Sequence, residues 1–291
     1  MMKQIQNEMV PAEERDVVLR SDSMCAEIKE KWGRNVDLSS HELQIANSVL
    51  SLSNDVSGFD AIGGMQEVKR ELRLHVIKPL QRSDVFFSSQ ALRPPSGILL
   101  EGRPGTGKTM MATALAKEGN VPLIPLLLAD VENKWVGESQ KLLKAVFTLA
   151  EKLQPCIIFV DEIDGFVRQR SALDQNHEYS MKTAFLQMMD RVRTQKIIVV
   201  AATNHSTALD PALKRRLPRR YVLHPPIAES RKHILENLLQ NEPDEHDVDW
   251  IVEETDGLTG GDGRGAMKSP DSLSLYPITG RTPVSAESDR L

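Results

Sequence analysis

From Phe59 to about Leu223, apolar runs of strand length alternate with longer amphipathic stretches. That alternation predicts a parallel α/β sheet with helical crossovers. Gly97–Leu100, Leu123–Leu128, Ile157–Val160 and Ile197–Ala202 read as strands, and the short Tyr221–Leu223 as a fifth. Pro125 places the second of these at a sheet edge, because proline cannot donate to a ladder on both sides. Between them the spacing predicts helices over Gln66–Val76, Thr109–Glu118, Ser139–Leu153, Glu178–Arg191 and Glu229–Leu239. Residues 1–55 are polar and helix-prone. There "LSSHELQIANSVLSL" supplies a capping-box-like start at Ser40-His41-Glu42-Leu43, followed by apolar Ile45, Ala46, Val49 and Leu50. The expected organisation is a helical, partly disordered lead-in (1–55), a large α/β domain (56–225), the start of a helical unit (226–262) and a tail (263–291). The tail is rich in Gly, Ser, Pro and Thr without a period, so it is expected to be disordered.

Composition narrows the class. Apolar residues make up 40% and charged residues 26% of the 291, which fits a globular chain and excludes a collagen-like or coiled-coil one. The formal charge of -5, with both signs mixed along the chain, lacks the basic field of a general nucleic-acid binder, so no nucleic-acid partner is expected. Cys25 and Cys156 are far apart, and the second opens a strand-like run, which argues against a disulfide framework and for a reducing compartment. No window approaches the roughly 18 consecutive apolar residues of a membrane helix. The N-terminus lacks a signal-peptide core, so the sequence alone reads as cytoplasmic.

Three stretches carry chemistry. "GRPGTGKT", Gly102 to Thr109, follows a strand and opens a helix, as a phosphate-binding loop requires. Gly102, Gly105 and Gly107 let the backbone amides, with those of Arg103, Thr106 and Lys108, curl around phosphates beside Pro104. Lys108 adds positive charge, and Thr109 offers a hydroxyl to magnesium. "CIIFVDEID" is an apolar strand ending in acids: Asp161 is placed to assist magnesium and Glu162 to polarise an attacking water. "IIVVAATN" ends in Asn204, either a water-orienting amide or an ordinary strand-ending turn. A basic cluster, Lys214, Arg215, Arg216, Arg219 and Arg220, has three readings: a solvated charge run, an import or nucleic-acid patch, or an arginine acting across a subunit boundary.

Taken in order, "FDAIGG", "GRPGTGKT", "KWVGESQK", "KLQPCIIFVDEID", "AATN" and "LDPALKRRLPRR" resemble the AAA ATPases over about Leu38 to Asp262. Within that family the phrasing is most similar to the branch of mitochondrial outer-membrane ATPases that extract mislocalised tail-anchored proteins, with katanin and spastin close by. The resemblance implies a P-loop NTPase of three layers, hydrolysing ATP with Mg2+. Gly102–Thr109 would be Walker A, Asp161 and Glu162 Walker B, and Asn204 sensor 1. Arg215 and Arg216 would be fingers acting on a neighbour's ATP. Asp60 to Gly64, with Ile62 and Gly63 at its centre, would contact adenine, and Gly260 and Gly261 would lie where a helical lid closes.

Lys134, Trp135 and Val136 match pore loop 1, where an aromatic grips a threaded polypeptide; without that likeness Trp135 reads as a cap on the core. Arg168 to Ser180 resembles a second pore loop, and Met181, Met188 and Met189 read as core. The implied assembly is a homo-hexamer, its clients membrane proteins, its place the outer membrane facing the cytosol. Arg103 departs from the family's usual Gly-Pro-Pro, adding bulk and charge beside the phosphates. After Asp262 the expected lid helices give way to low complexity, so an incomplete lid is expected. Two other functions therefore stand beside extraction: microtubule severing, and a truncated subunit that does not hydrolyse ATP.

Overall fold

The computed structural model describes residues 12–54, 58–127, 136–167, 174–205, 209–239, 248–257, 259 and 261. Its centre is a parallel five-stranded sheet, β1 (Gly97–Glu101), β2 (Leu123–Leu127), β3 (Cys156–Asp161), β4 (Ile197–Thr203) and β5 (Arg219–Val222), in the order β2-β3-β4-β1-β5. Every pairing is parallel, with Leu99 opposite Ala201, Ile158 opposite Val199 and Leu99 also opposite Arg220. Among the described residues β2, with Pro125, pairs with β3 alone and forms the edge that its proline demands.

Strand periodicity divides the core into two faces. Leu99, Ile158, Val160, Val199 and Ala201 point to one side; Ile98, Leu100, Ile157, Phe159, Ile198 and Val200 point to the other. Both sets are buried because helices cover both faces, which gives a three-layer sandwich. On the first face lie α1 (Ala12–Trp32), α2 (Ser40–Asn54), α7 (Val136–Leu153), α8 (Asp174–Val192) and α9 (Pro211–Arg216). On the second lie α6 (Lys108–Gly119) and a helical run of α3 (Gln66–Leu72), a π turn (Arg73–Ile77), α4 (Lys78–Gln81) and α5 (Ser83–Phe86). A small separate cluster joins α10 (Ala228–Leu239) and α11 (Val248–Glu254) through Leu235, Ile251 and Val252. Arg231, 8% exposed, ties this pair: it donates to the carbonyls of Pro226 and Val252 and pairs with Asp256.

The lead-in is built into the first face. Ile28, Ile45, Ala46, Val49 and Leu50 belong to the same apolar cluster as the sheet, with α2 against β2 and α7. The capping box starts at Ser39, one residue earlier than the pattern suggested. Ser39 N donates to Glu42 Oε2 at 2.8 Å and Glu42 N to Ser39 Oγ at 3.4 Å. The Glu42 carboxylate, buried, also accepts from Thr148 (3.0 Å) and Lys152 (2.7 Å) of α7. Burial pushes the Glu42 carboxyl up, but the bonds from Lys152, Ser39 and Thr148 outweigh it, leaving it below the ordinary value of 4.5.

Other bounds shift for physical reasons. The helical run after Gln66 passes Val76 to Gln81, because the π turn accommodates the change of phase that ends the apolar pattern. β5 starts at Arg219, since only Tyr221 of its four residues is buried and an edge strand needs no apolar run. Both cysteines are free, with Cys156 buried. Among the described residues no helix is long and apolar enough to cross a membrane.

Candidate active site

β1 runs out at Glu101 into the loop Gly102–Gly107, and α6 starts at Lys108, so the loop sits at the carboxyl edge of the sheet beside the ends of β3 and β4. Gly105 (φ 77°) and Gly107 (φ 91°) take left-handed backbone that side chains resist. Gly105 is also pressed from outside: a Cβ there would meet Thr259 Oγ1 at 2.2 Å, and its carbonyl accepts from Gly261 N at 3.0 Å. Lys108, 8% exposed, folds back into the loop and donates to Gly102 O (2.9 Å), Arg103 O (3.0 Å) and Asn204 Oδ1 (2.7 Å). Since an ammonium only donates, the Asn204 atom facing it is the oxygen, which leaves the Asn204 amide hydrogens for other acceptors. Burial pushes the Lys108 ammonium down, and Asp161, Asp164 and Glu162 push it partly back.

The acids arrive from β3. Asp161 Oδ2 accepts from Thr109 Oγ1 at 3.0 Å, joining the first turn of α6 to the end of β3. Asp161 Oδ1 accepts from the backbone N of Glu162 at 2.9 Å. Glu162 stands at φ 49°, left-handed and uncommon for this residue type, and its carbonyl accepts from Gly165 N at 2.8 Å. A sharp turn with the carboxylate exposed results, of a kind that concentrates at functional sites. No cluster of three or more His, Cys, Asp or Glu suited to a metal occurs among the described residues. The paired hydroxyl and carboxylate oxygens of Thr109 and Asp161 instead fit Mg2+, which takes few protein ligands and completes its shell with phosphate and water.

The arginines lie at the other edge. Asp210 caps α9 by accepting from Ala212 N at 2.7 Å, Pro211 occupies the first turn, and Lys182 holds the cap carboxylate at 2.8 Å. That short helix ends on Arg215, exposed, and Arg216, whose carbonyl lies where a Cβ on Gly97 would meet it at 2.6 Å, beside the start of β1. Arg216 is held by Asp190 in a two-bond fork, Nε to Oδ1 at 2.9 Å and a terminal nitrogen to Oδ2 at 2.6 Å. Arg93 and Arg193 join them around a groove of about 560 Å3.

Of the remaining predicted residues, Ile62 is buried and its carbonyl accepts from Lys69. Gly63 and Gly64 let this segment close on α10: a Cβ on either would strike Ser230, at 2.7 Å from its carbonyl or 2.1 Å from its hydroxyl. A cleft of about 580 Å3 opens here among Phe59, Asp60, Lys69, Ser230 and His233. Val136 opens α7, while Lys134, Trp135, Gly260, Asp262 and residues 168–173 lie outside the described residues.

Residues 98–225 match the family described as "ATPase family associated with various cellular activities (AAA)". The outer mitochondrial transmembrane helix translocase of Homo sapiens is 42% identical over 234 residues, covering 79% of this chain and 65% of that protein. The mitochondrial sorting homolog of Caenorhabditis elegans is 39% identical over 237 residues, covering 79% of this chain and 68% of that protein. The chain belongs to the AAA ATPase family. It spans about two thirds of the length of these curated relatives, 65% of the human one. Among solved structures, the AAA domain of FIGL-1 in complex with ADP is 32% identical with a TM-score of 0.66, covering 79% of this chain and 80% of that one. A katanin structure on self-assembly is 28% identical with a TM-score of 0.68, covering 82% and 79%.

This AAA site therefore gathers Lys108, Thr109, Asp161, Glu162 and Asn204 at one edge of the sheet and leaves Arg215 and Arg216 at the other. Sequence reasoning missed the left-handed turn at Glu162 and the fork between Asp190 and Arg216. It also missed the bond from Thr203 Oγ1 to Asp164 Oδ1 at 2.8 Å. The acid after "DEI" was visible in the sequence, but its partner across 39 residues was not.

Proposed function

We propose that this AAA module hydrolyses ATP with magnesium in a homo-hexameric ring and uses the cycle to pull polypeptides, with transmembrane-helix proteins of the mitochondrial outer membrane as clients. The observation that carries it is the division between sheet edges. The phosphate loop and the acids sit at the carboxyl edge, and Arg215 and Arg216 sit about 16 Å away, five residues at ~3.3 Å each, beyond an arginine's reach. In this reading the arginines serve a phosphate of another copy, which favours a ring.

In this reading the loop amides and Lys108 bind the phosphates. Because the lysine's three donors already meet three chain acceptors, a phosphate oxygen gains its bond by displacing one of them. Thr109 and Asp161 would hold Mg2+, which neutralises charge on the outer phosphates. Glu162 takes the proton of the attacking water, Asn204 orients that water, and Arg215 and Arg216 of the neighbouring copy meet the charge that develops on the transferred phosphoryl. Ile62 and Gly63, backed by α10, receive the adenine. Lys134, Trp135 and Val136 form the grip on the client, a rigid aromatic giving contact area whatever the client's side chains.

The name of the translocase relative supports the client class and the outer-membrane location, and that of the sorting relative a mitochondrial one. The test uses vesicles carrying a tail-anchored client. ATP should release the client to the aqueous phase, and Trp135→Ala should lose release while keeping hydrolysis; equal release by both proteins would remove the grip from Trp135.

A further inference from the structure

Asp164 is a carboxylate only 4% exposed, three residues past the last residue of β3, in the 3-10 turn Ile163–Val167. Nothing in the hydrolysis scheme above uses it. Its Oδ1 accepts from Thr203 Oγ1 at 2.8 Å, and Thr203, the fully buried last residue of β4, accepts in turn from the backbone N of His205 at 3.0 Å. Asn204 lies between those two anchors, and its Oδ1 receives Lys108. The Thr203 carbonyl accepts from Gly102 N at 3.3 Å, at the first residue of the phosphate loop. One hydroxyl therefore links the turn that carries Glu162 to the turn that carries Asn204. Its proton is committed to Asp164, and its lone pair to His205.

We propose that Asp164 and Thr203 are positioning residues for hydrolysis. Asp164 fixes the rotamer of Thr203, Thr203 holds the His205 amide, and the turn between them keeps the Asn204 amide beside Lys108 and the reacting water. A residue set on a strand end needs such support, because an unpinned β4 terminus would let the amide swing by more than the half ångström or so that catalytic placement tolerates. The inference rests on the reading of Asn204 above.

Thr203→Val keeps the shape and removes both bonds, and Thr203→Ser keeps the hydroxyl. Asp164→Ala removes the acceptor together with a carboxylate charge that also acts on Lys108. In single-turnover and steady-state ATP hydrolysis by the full chain, Thr203→Val and Asp164→Ala should each lower kcat about ten- to a hundredfold. Affinity for a fluorescent ATP analogue should stay within about twofold, because the loop that binds phosphate is intact. Thr203→Ser should recover most of the rate, and the double variant should be no slower than either single one, since both break the same link. Hydrogen exchange at the His205 amide should quicken in Thr203→Val while the β4 amides before it stay protected.

A folded Thr203→Val with parental kcat, or additive losses in the double variant, overturns the proposal. So does a fall in rate matched by equal losses of nucleotide affinity and melting temperature, which marks general damage. Asn204→Ala, measured alongside, separates the layers. If it slows hydrolysis and Thr203→Val does not, the positioning role alone fails. If Asn204→Ala keeps the parental rate, or the parent has none, the reading of the site falls and the proposal with it.

Discussion

The two edges of the sheet carry opposite chemistry and opposite wiring. At the carboxyl edge, Lys108, Thr109, Asp161 and Asn204 come from three different strand–helix junctions and are already bonded to one another. At the amino edge, Arg215 stands exposed, and Arg216 is bonded within its own face to Asp190. The first edge gathers the phosphate loop, Lys108 and the acids; the second holds guanidinium groups set apart from them. Fixed strand direction imposes this split, because loops after parallel strands share one edge and residues before them share the other. The difference teaches that parallel strands set these two groups apart within one copy, so the proposed use of the arginines needs a second copy.

The sharpest way to break the comparison is to remove the arginine. Arg215→Ala should lower ATP turnover by about 10^3-fold, the scale on which a finger supplied from another molecule acts. Nucleotide affinity measured on dilute protein should not change. Glu162→Gln should cost about 10^2–10^4-fold, as loss of a positioned base does, again with ATP retained. Mixing these two inactive proteins then decides the division. Each Arg215→Ala copy has an intact pocket, and each Glu162→Gln copy supplies an intact arginine, so mixed rings should regain a measurable fraction of parental turnover. A mixture as inactive as its components would mean that both edges serve one copy, and the reading of α9 would fall.

How much of this was legible in the sequence depends on distance along the chain. The phosphate loop, the acids after β3 and the sheet itself follow from local pattern: glycines between strand and helix, and an apolar run ending in charge. β5 was half seen, since its arginines disguise a strand with one buried residue. The capping box was displaced by one residue because Ser39 and Ser40 are equivalent in pattern, and only the Glu42 bonds choose between them. Pairings such as Asp164 with Thr203, or Asp190 with Arg216, depend on tertiary packing of segments tens of residues apart, and no local period encodes them.

A change that touches neither edge serves as the control. Glu42→Ala removes a buried acceptor of three bonds, two from α7 and one from the Ser39 amide at the start of α2, and should cost about 2–3 kcal/mol in unfolding free energy. Turnover per folded molecule should hold. Because the folded carboxyl sits below the ordinary 4.5, its contribution is complete above that value and fades as pH falls through the lower folded one. Denaturation midpoints of parent and variant should therefore differ at pH 7 and converge under strong acid. A gap unchanged by acid would assign the loss to packing instead of charge.

The smallest expected effect probes the amino edge most finely. Asp190 fixes Arg216 through two short bonds, yet half of its side chain is exposed, so the pair contributes no more than about 1 kcal/mol. Asp190→Ala should leave the melting temperature within a few degrees of the parent. Its effect belongs in turnover, because a freed Arg216 samples orientations that the fork excludes, and a few-fold fall in kcat is expected. The same hydrogen bonds hold the Asp190 carboxyl below its ordinary 3.8 and the Arg216 guanidinium above its own value. Stability from the pair is thus complete above pH 3.8 and lost only as acid protonates Asp190 through its lowered folded value, so kcat should show no pH dependence from this pair near neutrality. Asp190→Asn separates the two roles of the carboxylate. If charge holds the arginine, the amide variant behaves like Ala; if shape and one acceptor suffice, it retains the parental rate, and Arg216 is then placed by α9 alone.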